Sequence, residues 1–345
     1  MKLSQSLPVA ALAAALLVGA CSEARNPAAP GPAFSTTSAP AITYSGRATV
    51  VQAALAGLKP ITFADAGPLP PEGGSDDASL LDASVPGVLT VEVLHASTVA
   101  EGNHSRSEAS VASLSLTAGG NTISAGFLMA QAEARCTGGG ATTSGSSEIA
   151  ELTINNQTIA VSGQRNQTIP LLNGQVVINE QPTEPPGAIT VNALHVVVPG
   201  VADVVISSAH ADIGCPQPLP PPPASCPDFV TGGGWIIAPS GARGNFAVAG
   251  GLKNGAYWGH LAYIDHGGGP KVKGTGVTGY VVMEDTRRHI SGTAEIDGQP
   301  GFTYEAEVED AGEPGRSDRF TLALSNGYTA SGNLSGGNIQ LHTCP

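Results

Sequence analysis

Short runs of apolar and β-branched residues, each closed by a compact turn signal, fill this chain from residue 41 onward. Asn173-Gly174 separates residues 170–172 from 175–178, and Asp297-Gly298 separates 290–296 from 302–308. Both dipeptides accept the left-handed backbone that a tight hairpin demands. Asn155-Asn156-Gln157 and Asn326-Gly327 repeat the signal, and Pro199-Gly200 divides two Val-rich runs, 188–198 and 201–211. Tyr304, Ala306 and Val308 alternate with Thr303, Glu305, Glu307 and Glu309, the period of a half-buried strand. Beyond residue 20 no window combines helical periodicity with caps. The 45 glycines and a charged fraction of 12% fit tight turns and short strands. The expected fold is all-β, with two antiparallel sandwich or small-barrel domains. Residues 64–84, rich in Pro, Gly and Asp, are expected to form a loop.

The start of the chain points to export. Lys2 precedes an apolar run over residues 8–20, which is too short to span a bilayer as a helix and has the length of a secretory core. Val18-Gly19-Ala20-Cys21 resembles a bacterial lipobox, so Cys21 is the expected lipidation site and residues 1–20 the signal peptide. Residues 21–40, rich in Ala, Pro, Ser and Thr, read as a lipidated tether. In lipoprotein sorting an Asp after the lipid site resembles an inner-membrane retention signal. Ser22 therefore suggests an outer-membrane lipoprotein, periplasmic or surface-exposed.

An exported chain keeps disulfides. With Cys21 set aside, Cys136, Cys215, Cys226 and Cys344 remain, and four cysteines allow three pairings. The Pro-rich linker 216–225 divides the mature chain into domains 41–215 and 226–345. A stiff spacer opposes a Cys215–Cys226 bridge, because bonded cysteines need close Cα atoms. Cys226 and Cys344 bracket the second domain, and Cys136 and Cys215 end two strands of the first. The expected bridges are Cys136–Cys215 and Cys226–Cys344.

Residues 86–95, PGVLTVEVLH, are echoed by residues 186–195, PGAITVNALH. Two similar strands in one sandwich account for this better than a repeat array does. The run Val177-Ile178-Asn179-Glu180-Gln181, then residues 188–196 and 202–206, resembles the signature of choice-of-anchor P domains, over most of 41–215. Residues 229–236, 259–266, 312–316 and 338–342 resemble the domain catalogued as following choice-of-anchor domains, over nearly all of the second half. The resemblance implies surface display through an anchor, here the lipid, and carries no chemistry onto named residues.

Catalytic motifs are absent as sequence. Residues 274–279 match G-x-G-x-x-G, but a strand, not a helix, is expected after them, which argues against a nucleotide. His260, Asp265 and His266 share one strand and its end. A polar strand edge explains them better than a metal does. Glu309, Asp310, Glu313 and Asp318 form an acidic turn with Arg316 and Arg319 to balance it, without the calcium-loop pattern. No catalytic residue, metal or cofactor is therefore assigned. Trp235, Trp258 and Tyr263 are the candidate ligand platform, weighed against a place in the core. A net charge of -13 argues against nucleic acid as partner. The expected protein is a non-catalytic surface-displayed lipoprotein, serving adhesion, glycan or matrix contact, or structural display. Its partners are the membrane, through the lipid, and a glycan or envelope component. The alternative is an extracytoplasmic enzyme acting on carbohydrate.

Overall fold

The computed structural model describes residues 41–138, 140–216, 228–253 and 255–343. Cys21, Cys226 and Cys344 lie outside the described residues, as do the signal peptide, the tether and nearly all of the Pro-rich linker.

The first half forms β1 (Thr43–Tyr44), β2 (Arg47–Leu55), β3 (Ile61–Ala66), β4 (Gly74–Val85), β5 (Leu89–Glu101), β6 (His104–Ala118), β7 (Asn121–Thr137), β8 (Gly140–Ala150), β9 (Thr153–Ile154), β10 (Gln157–Thr158), β11 (Gln167–Leu171), β12 (Gly174–Glu180), β13 (Ala188–Val198) and β14 (Ala202–Gly214). The second half forms β15 (Phe229–Ile237), β16 (Arg243–Lys253), β17 (Ala256–Asp265), β18 (Lys271–Glu284), β19 (Arg287–Ile296), β20 (Gln299–Glu309), β21 (Arg319–Leu324), β22 (Thr329–Asn333) and β23 (Gly336–His342). The only helical element among the described residues is a 3-10 turn at Gly315–Ser317. The all-β expectation is met.

Strands β1–β14 build two seven-stranded antiparallel sheets. The first has the order β11-β12-β13-β14-β2-β3 with β1 beside β14, and the second β10-β9-β7-β6-β5-β4 with β8 beside β7. They face each other across one apolar core. Val91, Leu94 and Val111 of the second sheet share it with Val191, Leu194 and Val204 of the first. The echoed segments become β5 and β13, one in each sheet. Cys136, near the end of β7, bonds Cys215, just past β14, with Cα atoms 5.5 Å apart. This bridge ties the two sheets together at one rim.

The turn chemistry acts as the residues require. Asn155 and Asn156 both have positive φ (50° and 62°), as do Asp297 and Gly298 (50° and 75°), so each hairpin closes through two left-handed residues. The expected loop over 64–84 is a correction. Residues up to Ala66 continue β3, and Gly74–Val85 is a full strand, β4, paired with β5 from Gly74 to Val85. Asp76, Asp77 and Asp82 gave β4 the composition of a loop. An edge strand takes such charges because one side of its backbone has no partner strand among the described residues, and they discourage pairing with another chain.

The second half is a single nine-stranded sheet in the order β22-β21-β20-β19-β18-β17-β16-β15-β23, curled into a half-barrel around its own core. Phe246, Tyr263, Tyr304, Phe320, Val248, Leu261 and Ile290 fill the concave side. Phe246 and Phe320 stack with ring centroids 4.0 Å apart. Curling requires close approach of backbones. At Gly292 an added Cβ would collide with Tyr304 and with the carbonyl of Gly276, where β18 carries register irregularities. The G-x-G-x-x-G run lies inside β18, so it is strand, without a helix amino end to hold phosphate.

The two halves are not independent of each other. The described residues of both halves belong to one compact unit. Continuous buried runs at 93–98 in β5, 105–112 in β6, 229–234 in β15 and 244–251 in β16 break the one-face-in pattern. These strands are covered on both sides. The second sheet thus has the first sheet on one face and the back of the half-barrel on the other. Val93 and Ala112 meet Ala247, Ala262 and Ile264 across this seam. Small residues bring the sheets close: a Cβ on Gly233 would collide with Ser110.

Candidate functional site at the seam

Strand alternation aims an unusual row of side chains into the seam. Cross-strand register sets Asp77 beside Ser97, Ser97 beside Glu108, and Glu108 beside Gln131. One rung along, Ser79, His95, Ser110 and Met129 are neighbours in the same way. His95, Ser97, Glu108 and Ser110 are all buried. Opposite them stand His260 of β17 and Asn338 of β23.

Three of these groups form a chain. His260 Nδ1 lies 2.6 Å from Asp77 Oδ2, and His260 Nε2 lies 3.2 Å from His95 Nδ1. Burial opposes ionisation of Asp77, but the hydrogen bond and charge of His260 outweigh it and hold the carboxyl below its ordinary range. His95 is wholly buried, and burial pushes it down to about 3, with His260 adding to the effect and Asp77 opposing it. A neutral His95 donates from one ring nitrogen only. If Asp77 accepts the Nδ1–H hydrogen bond of His260, then His260 Nε2 accepts from His95 Nδ1–H, and His95 Nε2 keeps a lone pair. That atom is buried with no hydrogen-bond partner. The Asp77 carboxylate fixes the tautomer and ring orientation of His260. The pair also joins the halves, with Lys253 Nζ donating to the Ser75 carbonyl (2.9 Å) beside it.

A second cluster lies further along β6. Gln131 Nε2 donates to Glu108 Oε2 (2.8 Å), and Arg106 Nη2 donates to Glu313 Oε1 (2.8 Å). Asn338 Nδ2 donates to the same Glu313 oxygen (3.1 Å). Arg316 reaches Glu148 Oε1 (2.8 Å), whose other oxygen accepts from Gly337 N (3.2 Å). Burial raises Glu108 to about 7, against the pull of Arg106.

The groups singled out in the sequence are dispersed. Asp265 accepts from Ser240 (2.5 Å), Gly267 N and Tyr328 (both 2.9 Å), while His266 Nε2 faces Asn245 Nδ2 at 2.7 Å. They share no ligand position with His260. In the acidic turn, Asp318 accepts the amides of Ala311 and Ile339, and Asp310 accepts those of Gly312 and Leu341. Those carboxylates serve as backbone acceptors. Burial raises Asp318 to about 7. Trp235 and Trp258 share the back of the half-barrel, six positions apart in register, or roughly 20 Å at ~3.4 Å per residue. Arg243 covers the Trp235 ring at 4.1 Å, and Trp258 packs on Phe229 at 5.4 Å. Tyr263 is fully buried on the opposite, concave side, where it meets Tyr328 at 2.8 Å. The three rings therefore offer no common face.

Sequence reasoning missed Asp77, His95, Arg106, Glu108 and Asn338. One signal existed: His95 ends the echoed strand. Its counterpart His195 sits between Glu180 and Asp203, each 2.9 Å away, on the outside of the sandwich. Those two carboxylates raise His195 against the lowering effect of its partial burial.

Outside the seam, the convex face of β19–β22 carries a polar grid. Arg287, Glu307, Glu309, Arg319, Thr321 and Ser331 line an open concavity of about 370 Å³ there. Arg287 bonds Glu307 (3.0 Å) and Arg319 bonds Ser331 (3.0 Å).

No protein-family model, curated protein or solved structure matches the chain.

Proposed function

We propose that this chain is a non-catalytic lipoprotein of the bacterial outer membrane, held by a lipid on Cys21 and displayed for contact with a glycan or another envelope component. The observation that carries the contact reading is the division of labour among polar groups. The buried His, Asp and Glu side chains join the halves, whereas the open concavity on β19–β22 presents two guanidiniums, two carboxylates and two hydroxyls to solvent. Such a mixed grid suits a hydroxyl-rich or zwitterionic surface. The choice-of-anchor resemblance supports display, and the apolar run before Cys21 supports the anchor.

Two experiments test this. Cys21→Ser is expected to release the protein from membranes without detergent, because no helix among the described residues is long and apolar enough to hold it there. Retention of that variant in the membrane fraction would refute the anchor. The soluble chain is then screened against glycans and envelope fractions. A ligand found there should bind about 10-fold more weakly to Arg287→Ala or Arg319→Ala, the effect of losing one charge-assisted hydrogen bond. Hydrolysis of a carbohydrate that disappears with one His or Asp substitution would replace this reading with an enzymatic one.

A further inference from the structure

Apolar side chains left in water gather at one end of the half-barrel. Leu252, Tyr257, Val281, Val282 and Met283 are five of the ten large exposed hydrophobics among the described residues, each 41–55% exposed. They sit on two neighbouring hairpins. Leu252 pairs with Tyr257 at the end of β16–β17, and residues 281–283 lie at the end of β18. Strand alternation fails over residues 281–284, all exposed, so that stretch of strand has water on both faces. Asp228 ties the hairpins together. Tyr280 and Arg288 bond its carboxylate from the β18–β19 side, while the next residue, Phe229, lies opposite Gly251, beside Leu252. Single exposed apolar residues are ordinary on a protein surface, but a cluster of them on adjacent tips marks a contact surface.

The place where the chain enters the fold indicates what covers these tips. The Tyr44 hydroxyl donates to the Gly102 carbonyl at 2.5 Å, and a Cβ on Gly73 would meet the Tyr44 ring at 3.0 Å. Two residues further on, the Ser75 carbonyl accepts from Lys253, the neighbour of Leu252. The apolar tips and the point where residues 21–40 join the body therefore share one end of the molecule. Twenty peptide units separate Cys21 from Ala41, a reach of at most about 70 Å. A lipid on Cys21 holds this end, more than the opposite one, near a bilayer. Leu58, Leu172 and Val201 mark the opposite end. They tip hairpins where β14 begins, with Ala202 paired to Leu55, whereas Tyr44 pairs with Ile213 where β14 ends. Charge does not draw the tips to anionic headgroups. Arg287 pairs with Glu284 and Arg288 with Asp228, and Asp285 adds an exposed negative charge.

We propose that this end of the half-barrel rests on the lipid bilayer through Leu252, Tyr257, Val281, Val282 and Met283. The proposal builds on the lipid anchor at Cys21 and adds a second point of membrane contact. The apolar side chains enter the boundary between headgroups and acyl chains, and the Tyr257 hydroxyl stays with the headgroups. Alone, five such side chains make only a marginal contact, so Cys21→Ser still releases the protein. With the lipid in place the contact is intramolecular and therefore favoured. Apolar area drives it, so about 0.5 M salt leaves it in place.

A polarity-sensitive fluorophore on a bio-orthogonal residue at Ala256, exposed between Leu252 and Tyr257, reports the contact, and the same label at Leu172 is the distal control. The lipidated full chain is placed on vesicles of phosphatidylethanolamine and phosphatidylglycerol that carry a brominated lipid as quencher. Quenching and a blue shift are expected at Ala256 and neither at Leu172. Val281→Ser combined with Met283→Ser should lower the ratio of contacting to free molecules about 10- to 30-fold, the loss from withdrawing two half-exposed apolar side chains. Flotation with the vesicles reads the anchor separately. A chain that fails to float removes the anchor and this contact together. A chain that floats without quenching at Ala256, or with quenching at Leu172 instead, overturns the contact alone. So does an apolar environment at Ala256 in the Cys21→Ser protein without vesicles, because a second copy or another part of the chain then covers the tips. If the double variant fails to fold, quenching of the otherwise unaltered chain decides.

Discussion

Arg288→Met is expected to lower the unfolding free energy by about 3 kcal/mol, the cost of breaking a buried ion pair from one side. Arg288 is among the largest buried side chains, with 2% exposure. Its Nε and Nη2 donate to both oxygens of Asp228, at 2.7 and 2.6 Å. Nη1 donates to the carbonyls of Glu284 (2.7 Å) and Arg287 (2.9 Å). Tyr280 donates to Asp228 as well (2.5 Å), and burial raises the Tyr280 phenol, with Asp228 adding to the effect. Removing the guanidinium takes the charge partner from Asp228 and a donor from the carbonyls of Glu284, Asp285 and Arg287 at once. Urea unfolding should show a lower midpoint with unchanged slope. Asp228→Asn combined with Arg288→Met should cost less than the two single changes added together, because the pair is a coupled unit. A loss below about 1 kcal/mol for Arg288→Met would mean that water replaces the guanidinium without penalty.

Loss of the Cys136–Cys215 bridge should have an effect of similar size. The cysteines are 79 residues apart, and the bond joins strands from different sheets of the sandwich. The loop-entropy relation gives about 4.5 kcal/mol for a closure of that length, within the ~2–5 kcal/mol typical of native bridges in exported domains. A paired Cys136→Ala and Cys215→Ala protein should unfold at lower urea and keep its strand content. Non-reducing peptide maps should show the two cysteines in one linked peptide. A map that joins Cys215 to Cys226 would contradict the pairing.

The strands and hairpins were legible in the sequence because their causes are local. Asn155-Asn156 and Asp297-Gly298 need only their own backbone preferences to turn the chain. Tyr304, Ala306 and Val308 alternate because one face of β20 meets the core. The seam was illegible for a corresponding reason. Its residues are not an apolar stripe but Ser97, Glu108, Ser110, Gly233, Ala247 and Ala262, which read as a solvated or indifferent face. Hydrophobic periodicity finds burial that water drives. It cannot find burial in which hydrogen bonds satisfy polar groups across two distant segments, as Asp77 and His260 do across 183 positions. The Asp-rich composition of β4 misled for the same reason. Asp77, on an edge strand, has its partner on the opposite half of the molecule. Trp235, Trp258 and Tyr263 show the converse limit. Their types suggested a platform, but strand parity placed Tyr263 on the concave side and the other two on the back.

Docking of the half-barrel on the sandwich underlies the buried Asp77-His260-His95 chain and the separation of joining groups from the exposed grid. Distance measurement by pulsed electron spin resonance tests it most directly. Spin labels attached through bio-orthogonal residues at Asp82 on β4 and Lys273 on β18, both exposed, leave the cysteines and the seam untouched. One narrow distance distribution is expected near pH 6. A broad distribution, as from two bodies joined only by a linker, would contradict the account.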